Sequence, residues 1–212
     1  MAGGMTTLTT ERLTLTPTQA SDYETLRALW ADPVFTHHIT GGKGFSPEEV
    51  WLRLLRDIGH WSVLGYGNWQ MHQTVTGDYV GSVGILDYRR DLDPPFDAPE
   101  LGWGVAPAFQ GQGYAQEGVN AALSWADTVL KAPRTVCMID PANTPSLKLA
   151  TPSRPTIRWS CTPISSAWAA RTTCLVISMS GRLGMGSPDG WLWTMIRFVA
   201  ATSSARRTTS RA

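Results

Sequence analysis

The run AFQGQGYAQEG at 108–118 sets Gly111, Gly113 and Gly118 among glutamines, between a strand-like and a helix-like segment. The first N–H groups of a helix lack internal partners, and the aligned peptide dipoles place partial positive charge there. A pyrophosphate fits such an end if no side chain blocks its approach, which bare Gly111 and Gly113 allow. The plainer reading is a tight strand-to-helix turn with incidental glycines. A Walker loop is excluded, because no lysine lies between Lys43 and Lys131. The spacing of Gly111, Gly113 and Gly118 also fails the G-x-G-x-x-G dinucleotide fingerprint.

The elements around this turn are legible in outline. ERLTLTP alternates Leu13 and Leu15 with polar residues, a half-buried strand ended by Pro17. Ser21 or Asp22 is expected to cap a helix carrying Leu26, Leu29 and Trp30. Ser46, Pro47 and Glu49 form a capping box before Val50, Leu54 and Ile58. NWQMHQTV and YVGSVGILDY read as a hairpin through Thr76-Gly77-Asp78. ELGWGV alternates Leu101, Trp103 and Val105 with Glu100, Gly102 and Gly104. A helix from Ala115 ends before Pro133, RTVCMID is a buried-type strand, and NTPSLKLA starts a helix capped by Asn143 or Thr144. The order is β-α-α-β-β-β-α-β-α, an α/β (α+β) domain over residues 8–150.

Composition narrows the setting. The 212 residues hold one domain and a tail, and 42% apolar content supports a core. Three cysteines without paired spacing give neither a disulfide framework nor a zinc site. No secretory leader and no apolar run of membrane-spanning length are visible, so a cytoplasmic protein is expected. Residues 1–150 carry 16 of 17 acidic and 10 of 18 basic residues, net −6, whereas residues 151–212 carry eight Arg and Asp189, net +7.

Gln110-x-x-Gly113-x-Ala115, with Val105 at the end of the preceding strand, resembles the acyl-CoA signature Q/R-x-x-G-x-G/A of the GNAT superfamily of N-acetyltransferases. Asn143-x-x-Ser146 resembles that family's second coenzyme-contacting position, and ERLTLTP with ELGWGVAP resembles its Rim-type branch, which acetylates ribosomal-protein N-termini and related amines. The likeness implies a GNAT fold with a mixed central sheet. It also implies acetyl-CoA as co-substrate, bound where ELGWGV and RTVCMID splay apart. Trp103, Gly104 and Val105 would serve through main-chain groups. Gln110, Gly111, Gln112, Gly113, Tyr114 and Ala115 would hold the pyrophosphate through amides. Asn143 and Ser146 would hydrogen-bond the cofactor, although both also suit plain helix capping.

The implied chemistry is direct attack of a primary amine on the thioester, the amine belonging to a protein N-terminus or a small molecule. Glu100 is the candidate base, with a solvated strand-edge carboxylate as its plainer role and Asp97 as a weaker alternative. Ser146 is carried with Glu100 as a catalytic side chain. Many relatives place a tyrosine acid where this chain has Ala150, which leaves the acid unassigned. His37 and His38 with Asp32 could suggest a metal or a base, but two adjacent histidines in a loop without further ligand spacing read as substrate-side loop residues, so no metal is expected. No membrane partner is expected, and a dimer is allowed.

After Ala150 the pattern fails. Relatives continue with Lys/Arg-Leu-Gly-Phe and two closing strands, but TPSRPTIRWSCTPISSAWAARTTCLV has poor alternation and almost no acid. A frameshift accounts for this: Thr-Pro-Ser-Arg-Pro written ACG CCG TCT CGG CC yields Arg-Arg-Leu-Gly one base later. The closing strands are then expected to be lost or replaced, and the alternative to acetyl transfer is a product that only binds acyl-CoA or misfolds. A basic Arg/Trp segment that binds nucleic acid is the less favoured alternative.

Overall fold

The computed structural model describes residues 6–92 and 95–150, together with the backbone of two strands at 158–162 and 175–180. Strands β1 (Leu8–Thr9) and β2 (Leu13–Pro17) lead into helices α1 (Tyr23–Ala31), α2 (Pro33–Thr40) and α3 (Pro47–Leu64). Strands β3 (Asn68–Gln73), β4 (Tyr79–Leu86) and β5 (Glu100–Val105) follow, then α4 (Tyr114–Trp125) with a π-helical extension Ala126–Leu130. Strand β6 (Thr135–Ile139), helix α5 (Thr144–Ala150) and strands β7 (Arg158–Thr162) and β8 (Leu175–Ser180) complete the order.

The strands form one mixed sheet in the order β1-β2-β3-β4-β5-β6-β8-β7, antiparallel except for β5 beside β6. The place of the closing strands is filled rather than lost: β8 pairs with all five residues of β6, and β7 pairs with β8. LVISMS and RWSCT are rich enough in β-branched, aromatic and hydroxyl residues to extend as strands. The composition change after Ala150 otherwise falls outside the described residues.

The capping box forms as expected: Ser46 N donates to Glu49 at 2.7 Å and Glu49 N donates to Ser46 Oγ at 3.2 Å. At the start of α1 the outcome differs. Asp22 accepts from Gln19 N at 2.7 Å, closing a short 3-10 turn (Ala20–Asp22), and makes no cap bond to α1 itself.

Two apolar layers clasp the sheet. On one face, α4 lays Val119, Ala122 and Trp125 on Leu13, Leu15, Trp69, Met71, Val83 and Leu101. Gly118 lets α4 come this close, since a Cβ there would lie 2.4 Å from the Met71 sulfur. The second layer packs Leu26 of α1 on Val50 and Leu54 of α3, with Tyr79 of β4 against them. Burying a Leu or Val side chain is worth about 1.5–3 kcal/mol, so these two layers carry the weight of the fold.

Candidate active site

The seam between β5 and β6 is nearly empty of pairing. It contains one register pair, Glu100 with Val136, backed by Val136 N donating to Pro99 O at 2.9 Å. Along its other edge β5 pairs with β4 over all six residues, Leu86 with Glu100 through Gly81 with Val105. Beyond Glu100 the two parallel strands part, so one edge of Leu101–Val105 has no β6 partner. This is the fork that the sequence leads one to expect between ELGWGV and RTVCMID.

At its open end β5 runs through a short turn (Pro107–Phe109) into the glycine segment and α4. Gly111 and Gly113 take φ of 74° and 84°, the left-handed region that disfavours side chains. Gly113 is the N-cap of α4 and offers no side-chain cap, leaving the helix amides bare. Among the described residues, the amides of Gly111, Gly113 and Tyr114 have no acceptor; the first bond of the run is Glu117 N to Gly113 O at 3.1 Å. Gln110 and Gln112 are committed. The Gln110 amide donates to Pro107 O at 3.3 Å, so it is withdrawn from the expected set of free donors. The Gln110 side chain instead donates to Val105 O at 3.1 Å, tying the strand end to the turn. Gln112 does the same to Ala108 O at 2.9 Å. The Tyr114 ring is buried in the main core, with its hydroxyl accepting from Gln73 at 2.5 Å, so only its backbone faces the turn.

The turn has a buttress that the sequence did not reveal. Arg12 donates through Nε to Glu117 at 2.7 Å and through Nη1 to Gln112 O at 3.1 Å, and it stacks 4.4 Å from the centre of the Tyr114 ring. Glu117 also accepts from Thr10 Oγ1 at 2.6 Å and from Arg12 N at 2.8 Å. Burial works to raise the Glu117 pKa, but these hydrogen bonds and the guanidinium outweigh it and hold the carboxyl below its ordinary value.

Glu100 is placed at the closed end of the fork, but it is not solvated. Its side chain is 8% exposed, and both oxygens accept from Arg90, at 2.7 and 3.0 Å. Both oxygens of the carboxylate are thus taken up by charge-assisted bonds to one guanidinium. Asp97, the weaker alternative, pairs with Arg134. A cavity of about 320 Å³ opens beside Glu100, lined in part by Tyr88, Arg90 and Phe96.

Asn143 accepts from Ser146 N at 3.1 Å, the capping geometry for α5. That bond uses the side-chain oxygen of Asn143; among the described residues its amide nitrogen and the Ser146 hydroxyl have no hydrogen-bond partner. Ala150 is buried, 1% exposed.

His37 and His38 lie on a helix that Asp32 caps, which corrects the expected loop. Asp32 caps α2 by accepting from Val34 N at 2.7 Å, Pro33 takes the first turn, and Gly41 ends the helix with φ of 75°. Asp-Pro before and Gly after the segment were the available signal. Among the described residues no three His, Cys, Asp or Glu side chains gather as a metal site. No described helix is long and apolar enough to cross a membrane.

Comparison with known proteins converges on one family. The GNAT acetyltransferase domain model, Acetyltransf_3, matches residues 12–152. A Bacillus licheniformis protein described as uncharacterized N-acetyltransferase p20 is 29% identical over 148 residues, covering 68% of this chain and 79% of the relative. An Agrobacterium tumefaciens acetyltransferase structure shares 28% identity at a TM-score of 0.67, covering 82% of this chain and 94% of its own. The ribosomal L7/L12 α-N-protein acetyltransferase RimL in complex with coenzyme A shares the fold at 16% identity, with a TM-score of 0.62 and coverage of 84% of this chain and 97% of its own. A fork opened after a single strand pair, a bare glycine turn at its open end and a matching family model together show that this chain belongs to the GNAT acetyltransferase family.

Proposed function

We propose that this chain transfers the acetyl group of acetyl-CoA to a primary amine, on a protein N-terminus or a small molecule, in the manner of the Rim-type branch. The observation that carries the reading is the seam that opens after Glu100–Val136 and leads into the left-handed glycines of the α4 turn. Acetyl-CoA, the co-substrate, supplies a thioester carbonyl open to attack.

The chain's own part is to grip and orient. Main-chain groups of Trp103, Gly104 and Val105 line the open edge. The amides of Gly111, Gly113, Tyr114 and Ala115 face the diphosphate, with Gln110 and Gln112 shaping the turn. Asn143 and Ser146 reach the cofactor arm with their unused polar atoms. The bare cradle fits such an anion, since a Cβ at Gly113 would crowd Arg12 Nη2 at 3.3 Å. Glu100, tied to Arg90, fixes the closed end of the fork instead of carrying the proton. The reaction needs no metal, and the cytoplasm, where acetyl-CoA and ribosomal proteins meet, is the setting we assign.

Calorimetric titration of the folded chain with acetyl-CoA, paired with free-thiol release in the presence of N-terminal peptides and small amines, tests this. Micromolar binding with amine-dependent thiol release is expected. Binding without release for any amine would reduce the chain to an acyl-CoA-binding module, and absence of both ends the reading.

For the tail we propose a shifted reading frame. The family model stops at residue 152, next to the charge break. The nucleotide sequence of the gene tests this. Codons for residues 151–155 that cannot give Arg/Lys-Leu-Gly in another frame sink it.

A further inference from the structure

Helix α2 spans the open end of the fork, with Phe35 against β5 and His38 against the residue that follows β6. Phe35 packs on β5, where a Cβ at Gly104 would meet its ring at 2.8 Å. His38, three residues on and so on the same side of the helix, reaches the residue after β6, with Nδ1 2.9 Å from Asp140 Oδ2. Asp140 is itself fixed, because its other oxygen accepts from Ala142 N at 2.9 Å and its carbonyl from Asn143 N at 2.8 Å. Burial works against the charge on Asp140, but the bonds from Ala142 and His38 outweigh it and keep the carboxyl below its ordinary pKa.

An ionised carboxylate only accepts, so Nδ1 must carry the imidazole proton and Nε2 is the basic nitrogen. Among the described residues nothing else holds Nε2. The titratable groups against His38 are Asp140, from beyond β6, and His37 of α2, its ring 4.8 Å away. The two members of the pair are 30% and 29% exposed, open enough to exchange protons with a ligand. A carboxylate that orients an imidazole and fixes its tautomer is a recurrent device of acyl-transfer sites on unrelated folds.

We propose that His38, oriented by Asp140, is the proton carrier of the transfer, taking over the role expected of Glu100 and filling the acid position left open at Ala150. The inference rests on the acetyl-transfer reading above. As the amine nitrogen bonds to the acetyl carbon and the carbon–sulfur bond breaks, one proton leaves nitrogen for His38 Nε2. The same proton then passes from Nε2 to the coenzyme A sulfur. The imidazole ends neutral, and no other reactant is needed. Asp140 acts through His38 and is a positioning residue.

His38→Gln and Asp140→Asn in the full chain test the pair, each checked for folding by thermal melting and for acetyl-CoA binding by calorimetry. Loss of roughly 100-fold in kcat with acetyl-CoA binding kept is expected for His38→Gln, the usual scale of general acid–base catalysis. Its profile of kcat/KM against pH should lose its acid limb, because the side chain that must accept the amine proton is gone. Without any ligand, nitrogen NMR of the imidazole should show the Nδ1–H tautomer in the unmodified protein and its loss in Asp140→Asn. Unchanged kcat and acid limb in His38→Gln, or an Nε2–H tautomer in the unmodified protein, overturns the inference and leaves the acetyl-transfer reading standing. Failure of the unmodified protein to bind acetyl-CoA instead removes the parent reading.

Discussion

The two walls of the fork are built in opposite ways. The glycine turn is contiguous in sequence, from Val105 to Glu117, and its shape comes from backbone conformation: left-handed glycines, a short 3-10 turn and glutamines bonded back to nearby carbonyls. The bridge formed by α2 and the end of β6 joins His38 to Asp140 across 102 residues, and its shape comes from side chains. The contrast teaches a division of labour. A site that holds an anion through amides needs only a local backbone, whereas one that moves protons needs side chains gathered from distant elements. The turn also has a remote support in Arg12 and Glu117, which are 105 residues apart.

Two substitutions sharpen this contrast. The larger effect is expected from Gly113→Val. A β-branched residue in the left-handed region costs about 1–2 kcal/mol, and its side chain would also cover the bare amides and crowd Arg12. Acetyl-CoA affinity should fall at least about tenfold, a loss of roughly 1.4 kcal/mol by calorimetry. Undiminished affinity would show that the turn does not grip the ligand.

A smaller effect is expected from Glu117→Gln, which leaves the turn's backbone alone and weakens its support. A loss of about 1 kcal/mol of stability is expected, since the partner Arg12 is 44% exposed and its pairing is screened. The sign with pH follows from the depressed folded-state pKa. The stabilisation is present above the ordinary value of 4.5 and is lost as pH falls below it through the folded value. Acid unfolding followed by circular dichroism should show less pH dependence in Glu117→Gln below about pH 4.5. Identical acid profiles would remove Glu117 from the support of the turn.

Legibility in the sequence followed the same division. The capping box at Ser46, the hairpin turn at Thr76-Gly77-Asp78 and the glycine run each carry their signal within a few residues, and each forms. Helix α2 was missed because eight residues are too few to establish a helical apolar period, although Asp32, Pro33 and Gly41 marked both its ends. The Arg90–Glu100 pair was hidden by the proline-broken loop between its members, so a gripped carboxylate read as a free one. His38–Asp140 and Arg12–Glu117 were beyond reach, since nothing local announces a partner a hundred residues away. The two strands after α5 were not picked out one by one, because poor alternation over a long stretch concealed two short runs able to extend.

A ladder with most rungs missing at one place has a mechanical consequence. Among the described residues, the Glu100–Val136 pair is the one strand pairing between the flank from β1 to β5 and the flank from β6 to β8, and the bond from Val136 N to Pro99 O backs it. A guest that lays its own peptide-like groups along Leu101–Val105 becomes part of the sheet and stitches those halves together. Under the acetyl-transfer reading, cohesion of the molecule then grows with the logarithm of donor concentration above its dissociation constant, and a well-fed cell holds a stiffer protein than a starved one.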